Sequence, residues 1–148
     1  MKIHTINFGE IEIVEDKIIL FEEGLPAFED EKQFVIILNE DEDNPFHFLQ
    51  SINTPELSFV ILNPFEIFKD YDILLPETAI SKLKIKNEED VVIYTIVVIP
   101  EDMIKMTTNL LGPIVINQKE KLGKQVILEE NKYSTKELIF KDSELGGE

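Results

Sequence analysis

The stretch Glu10-Ile11-Glu12-Ile13-Val14 sets aliphatic side chains against carboxylates at every second position. Successive side chains leave a pleated backbone on opposite sides, so this period marks a strand with one wet face and one buried face. Lys17-Ile18-Ile19-Leu20-Phe21 follows as a second short run, and Glu15-Asp16 between them predicts a tight hairpin turn. Outward from this pair, further strands are expected at 34–38, 46–50, 57–62, 91–99, 114–116 and 125–128, nearly all rich in Val, Ile and Phe. Gly24-Leu25-Pro26, Asn44-Pro45, Asn53-Thr54-Pro55 and Asn63-Pro64 punctuate the runs. A helix is expected over 76–84, where Pro76 and Glu77 suit its start and Lys82 and Lys84 its end, with Ile80 and Leu83 on its inward face. A second helical turn fits 64–71. Many short strands with few helices read as a mainly β chain, a small antiparallel β-barrel-like single domain with one or two short helices. That domain is expected over 1–140, with 141–148 as a mobile tail.

A chain of 148 residues can bury about 68–70% of its unfolded surface, so a core without staples is within reach. Cysteine is absent, which removes disulfides, thiolate nucleophiles and cysteine metal sites. No run approaches the roughly 20 apolar residues that span a bilayer, and the N-terminus lacks the pattern of a secretion signal, so a cytoplasmic location is expected. Thirty acidic residues face fourteen lysines, with no arginine, for a net charge of −16. Phosphate binding depends on cationic side chains, so direct contact with nucleic acid or an anionic membrane is not expected. A basic protein is the favoured partner, although acidity also serves solubility alone. The charge is uneven. Residues 1–45 hold thirteen acids and three lysines, a net of 3 − 13 = −10.

Enzyme signatures are missing: there is no Gly-x-Ser-x-Gly elbow, no Walker A loop and no dinucleotide-binding glycine fingerprint. Nothing in the spacing makes a triad of Ser51 and His47, and both histidines, His4 and His47, lie in strand-like runs. Glu40-Asp41-Glu42-Asp43 matches a calcium loop in composition only and reads as a solvated run. With thirty acids present, a glycosidase-like carboxylate pair could be picked by chance. No catalytic residue, metal ligand or cofactor is assigned.

Two irregular segments stand out. Asn63-Pro64-Phe65-Glu66-Ile67-Phe68-Lys69-Asp70-Tyr71 spaces three aromatics at intervals of three, which a helical turn would gather on one side. They could pack on the barrel as core, or anchor a partner inside a rim of Glu66, Asp70 and Asp72. Thr107-Thr108-Asn109-Leu110-Leu111-Gly112-Pro113 carries no charge, and its Asn109 could satisfy buried backbone groups or read a partner's backbone. The candidate protein-binding residues are Phe65, Phe68, Asp70, Tyr71 and Asp72, with Glu10, Glu12, Glu22, Glu23 and Asn109 behind them.

Five stretches, in this order and spacing, resemble the flagellar assembly factor family FliW. They are Gly24-Leu25-Pro26-Ala27-Phe28-Glu29, Phe48-Leu49-Gln50-Ser51 followed by Leu57-Ser58-Phe59, Asn63-Pro64-Phe65 with Asp70-Tyr71, Thr108-Asn109-Leu110-Leu111-Gly112-Pro113-Ile114-Val115-Ile116-Asn117, and Gln125-Val126-Ile127-Leu128. The resemblance covers 11–133, with Ala27 where glycine is expected and Gly112 where alanine is expected. It implies a non-enzymatic β-barrel-like protein that works by binding flagellin in the cytoplasm; a monomer is expected, although the sequence does not itself give the oligomeric state. When flagellin is exported, such a protein binds CsrA, a basic RNA-binding translational regulator, and relieves repression of flagellin synthesis; binding beside the RNA site is the favoured mode. The competing reading is a β-barrel small-ligand-binding protein or hydrolase with a polar interior cavity. A third is a general acidic chaperone for exported subunits.

Overall fold

The computed structural model describes residues 1–129 and 132–140, so the tail expected at 141–148 lies outside the described residues. In chain order the strands are β1 (Lys2–Thr5), β2 (Gly9–Glu12), β3 (Ile19–Leu20), β4 (Gln33–Ile37), β5 (Phe46–Ser51) and β6 (Ser58–Leu62). Two helices follow, α1 (Pro64–Ile67) and α2 (Glu77–Lys82), and then β7 (Val91–Val98), β8 (Thr107–Thr108), β9 (Ile114–Asn117), β10 (Leu122–Gln125) and β11 (Glu137–Leu138). Seven strands close on themselves in the order β7-β6-β5-β4-β3-β10-β9, with β9 pairing back onto β7. Neighbours are antiparallel except β3 and β10, which run parallel. β8 and β11 extend the sheet from β7, and β1 with β2 form a separate hairpin.

The inward side chains fill the barrel. Ile19, Phe21, Leu25, Phe34, Leu49, Ile61, Ile114 and Ile116 form one cluster, with the Phe21 and Phe34 rings edge to face at 5.3 Å. This interior is packed with aliphatic and aromatic side chains, in place of the polar chamber that the competing small-ligand reading expects. The outer faces are covered in three places. Ala79 and Leu83 of the α2 region sit on Val115, Leu122 and Val126, the Phe68 and Ile139 segments sit on Leu62 and Val97, and the β1–β2 hairpin lays Ile3, Ile11 and Ile13 over Val35.

Several expectations change. The strand at 10–14 does not pair forward with 17–21. It pairs back onto β1, with Ile11 opposite Ile3 and Glu12 opposite Lys2, while residues Glu15–Lys17 form a single 3-10 turn. Alternation identifies a strand but carries no information about its partner. The turn that decides it is Thr5 to Gly9: the Thr5 hydroxyl donates to the Gly9 carbonyl (2.8 Å) and accepts from the Phe8 N–H (2.9 Å), and Gly9 takes φ +67°. The last barrel strand begins at Leu122 rather than 125, because the Asn117 side chain caps the Lys119 and Glu120 N–H groups and tightens the preceding turn. On α2 the inward pair is Ala79 and Leu83, and Ile80 is 37% exposed. β1, β8 and β11 lie outside the runs expected from periodicity; the last two are only two residues long.

Candidate protein-binding surface

The segment 63–72 is built around a short capped helix. The Asn63 side chain accepts from the Phe65 N–H (3.0 Å), and Pro64 takes the first helical position, where its missing N–H costs nothing. The helix stops at Ile67, and Phe68 leaves in an extended conformation with φ −111°. This break separates rings that an unbroken helix would have aligned. Phe68 packs against the cluster of Leu62, Val97, Met106 and Ile139 on the barrel wall. Phe65 and Tyr71 instead meet each other at 5.3 Å, and Tyr71 meets Tyr133 edge to face at 4.7 Å.

Tyr71 is buried, and its hydroxyl donates to the Leu110 carbonyl (2.7 Å). Burial, reinforced by Tyr133, pushes that hydroxyl far above the usual tyrosine range, so it stays a proton donor. Tyr133 donates to the Asp72 carbonyl and accepts from the Asp72 N–H, both at 2.8 Å, and the Lys132 ammonium lies 5.3 Å from its ring centre. Asn109 spends its side-chain oxygen on the Leu111 and Gly112 N–H groups (3.1 and 2.8 Å). Three distant pieces of chain, 65–72, 109–112 and 133, therefore meet at one place. Within it Phe65 (42% exposed), Asp70 and Asp72 face solvent, while Tyr71, Phe68 and Asn109 hold them in position.

The four glutamates lie elsewhere. Glu10 and Glu12 are exposed on β2, where Glu10 is 3.8 Å from both Lys2 and His4, and Glu12 is 3.6 Å from the N-terminal amine. Glu22 is exposed. Glu23 bridges Lys124 (2.9 Å) and Lys82 (3.2 Å), and these two ammonium groups hold its carboxyl below the usual carboxylate range. Among the described residues, Glu10, Glu12 and Glu23 are the only ones of the thirteen acids in 1–45 within 4 Å of a cationic group. The remaining carboxylates leave their field open to an approaching partner.

Residues considered for chemistry are otherwise occupied. His47 accepts the Asn39 N–H at Nδ1 (2.9 Å), and Ser51 donates to Glu31 (2.9 Å) while capping Asn53 and Thr54, so the two form no triad. The stretches that carried the resemblance serve the fold. Gln50 ties the 51–57 turn through Ser51, Pro55 and Leu57, and Asn117 donates to the Leu83 carbonyl (2.8 Å) at the end of α2. Ala27 sits at φ +71°, a left-handed conformation that costs a residue with a Cβ on the order of 1 kcal/mol and that glycine adopts freely.

A family model described as "FliW protein" matches residues 2–139. The chain belongs to the FliW family. The flagellar assembly factor FliW of Bacillus subtilis is 45% identical over 143 residues, covering 97% of this chain and 99% of that one. That of Geobacillus kaustophilus is 46% identical over 140 residues (95% and 96%), and that of Alkaliphilus metalliredigens 44% over 142 residues (96% and 88%). A crystal structure of the flagellar assembly factor FliW superposes with a TM-score of 0.88 at 45% identity, over 96% of this chain and 99% of that one. The FliW barrel is thus the barrel described above. Tyr133 is the member of the aromatic cluster that sequence reasoning missed, because it lies 61 residues from Asp72 and no local pattern links them.

Proposed function

We propose that this chain binds flagellin and, when flagellin is exported, binds and antagonises CsrA, relieving repression of flagellin mRNA translation. It acts without making or breaking bonds in either partner, as a cytoplasmic monomer whose binding unit is 1–140. Membership of a family of flagellar assembly factors supports the reading. The observation that carries it is the surface itself: an exposed aromatic, Phe65, beside Asp70 and Asp72, on a molecule of net charge −16. A protein that must hold RNA is basic, and opposite fields raise encounter rates. The same field repels nucleic acid and anionic lipid.

The test is co-purification from the native cytoplasm, with bound proteins identified before and after flagellin export is blocked. Flagellin should dominate when export is blocked and CsrA when it is open. CsrA binding should weaken steeply between 50 mM and 500 mM salt, given a screening length of about 10 Å at 0.1 M. Asp70→Lys should slow CsrA association several-fold with an unchanged melting temperature. Recovery of neither protein overturns the reading, and unaltered association by that variant removes 65–72 from the CsrA surface.

A further inference from the structure

Among the described residues, the barrel wall leaves a gap beside β4. The Gln33 carbonyl of β4 accepts from the Ile52 N–H (3.0 Å), so odd-numbered residues of β4 bond toward β5 and even-numbered ones away from it. On that other side, β3 pairs only Ile19 with Phe34 and Leu20 with Gln33. Ile36 and the following Leu38 therefore aim their N–H and C=O groups along an edge where, among the described residues, no strand sits. Beside this edge lies an open cleft of about 610 Å³. Its floor is the barrel interior at Val92, Tyr94 and Ile116, and Val14 and Leu38 on its rim are 62% and 61% exposed. Lys17 and Lys121 line the cleft near β3, and the acidic run Glu40-Asp41-Glu42-Asp43 begins just past Leu38.

We infer that this cleft is a docking site for an extended segment of a partner protein, added as a strand to the free edge of β4. An unpaired edge offers main-chain hydrogen bonds, and an apolar floor accepts alternate side chains. Both neighbours of β4 run antiparallel to it. A segment continuing the line of β3 does the same and enters at the Leu38 end. Its chemistry follows from the rim: basic residues at its N-terminal end against Glu40 to Asp43, small aliphatic side chains opposite Ile36, and acidic residues toward Lys17 and Lys121. The inference concerns how a segment is held and stands whichever protein supplies it.

The probe is a fluorescent synthetic peptide, Lys-Lys-Val-Thr-Val-Thr-Val-Glu-Glu, titrated into the full chain and followed by anisotropy. Ile36 faces the barrel interior, so the inward valines of the peptide are the residues that bond β4. Methylating the three valine nitrogens should therefore lower affinity at least tenfold. The double variant Lys17→Glu with Leu38→Lys, its fold checked by melting temperature, should lose the probe and prefer the charge-swapped peptide Glu-Glu-Val-Thr-Val-Thr-Val-Lys-Lys. No binding of the probe, equal binding of the methylated peptide, or no change of charge preference overturns the inference. A concentration-dependent dimer abolished by the same variant also overturns it, assigning the cleft to a second copy of the chain.

Discussion

The wall made by β4, β5 and β6 and the seam made by β3 and β10 complete one barrel in different ways. In the wall, β4 and β5 pair over four residues and β5 and β6 over five, so each strand is held by a continuous ladder. In the seam, β3 offers two residues to β4 and one, Leu20, to Leu122 of β10. Side chains hold what the ladder does not. The Phe21 ring lies so close over β10 that a Cβ on Gly123 would stand 2.6 Å from it, and Glu23 reaches across to Lys124. A barrel can thus be closed by a ring and an ion pair where backbone pairing is minimal, and the unpaired remainder of the β4 edge is left available.

The largest test of this contrast sets Phe21→Ala against Leu49→Ala, both fully buried in the same cluster. We expect about 3–5 kcal/mol lost for Phe21→Ala and about 2–5 kcal/mol for Leu49→Ala in denaturant melts. Hydrogen exchange should separate them: the Leu20 and Phe21 amides should open locally, ahead of β5, in the first variant, whereas all barrel amides should shift together in the second. The same order of exchange in both would remove the distinction between wall and seam.

A smaller effect is expected for Gly123→Ala, which overpacks the seam against an aromatic ring and should cost about 1–3 kcal/mol. Phe21→Leu in the same background should recover part of the loss; a null effect of the alanine would mean that the ring is free to move away. The smallest concerns Glu23. Its carboxyl is held low in the folded state, so its contribution is present above the ordinary glutamate value and fades as pH falls through the lowered one. Glu23→Gln should cost at most about 1 kcal/mol at neutral pH, as befits an exposed ion pair, and the two proteins should converge in melting temperature in acid. A gap that persists in acid would assign the effect to packing.

Much of this was legible along the chain, for reasons that differ by element. Runs such as Gln33–Ile37 and Val91–Val98 are long and aliphatic enough to declare themselves as strands. Residues Asn63 and Pro64 declare a helix start through capping chemistry. Residues 107–108 and 137–138 could not be read, because a two-residue strand has no period. The candidate surface was half visible. Phe65, Asp70 and Asp72 are exposed as a partner-binding rim requires, whereas Tyr71 and Asn109 turned out to be committed inward, to Leu110 and to the 111–112 backbone.

By itself the sequence determined the strand content, the family and the strong negative charge, because periodicity, ordered motifs and composition are properties of neighbours and sums. Only the tertiary structure decided which strand pairs with which, that Tyr133 completes the aromatic cluster, and that β3 is too short to cover β4. Those outcomes depend on groups tens of residues apart meeting in space, and no local pattern encodes such a meeting.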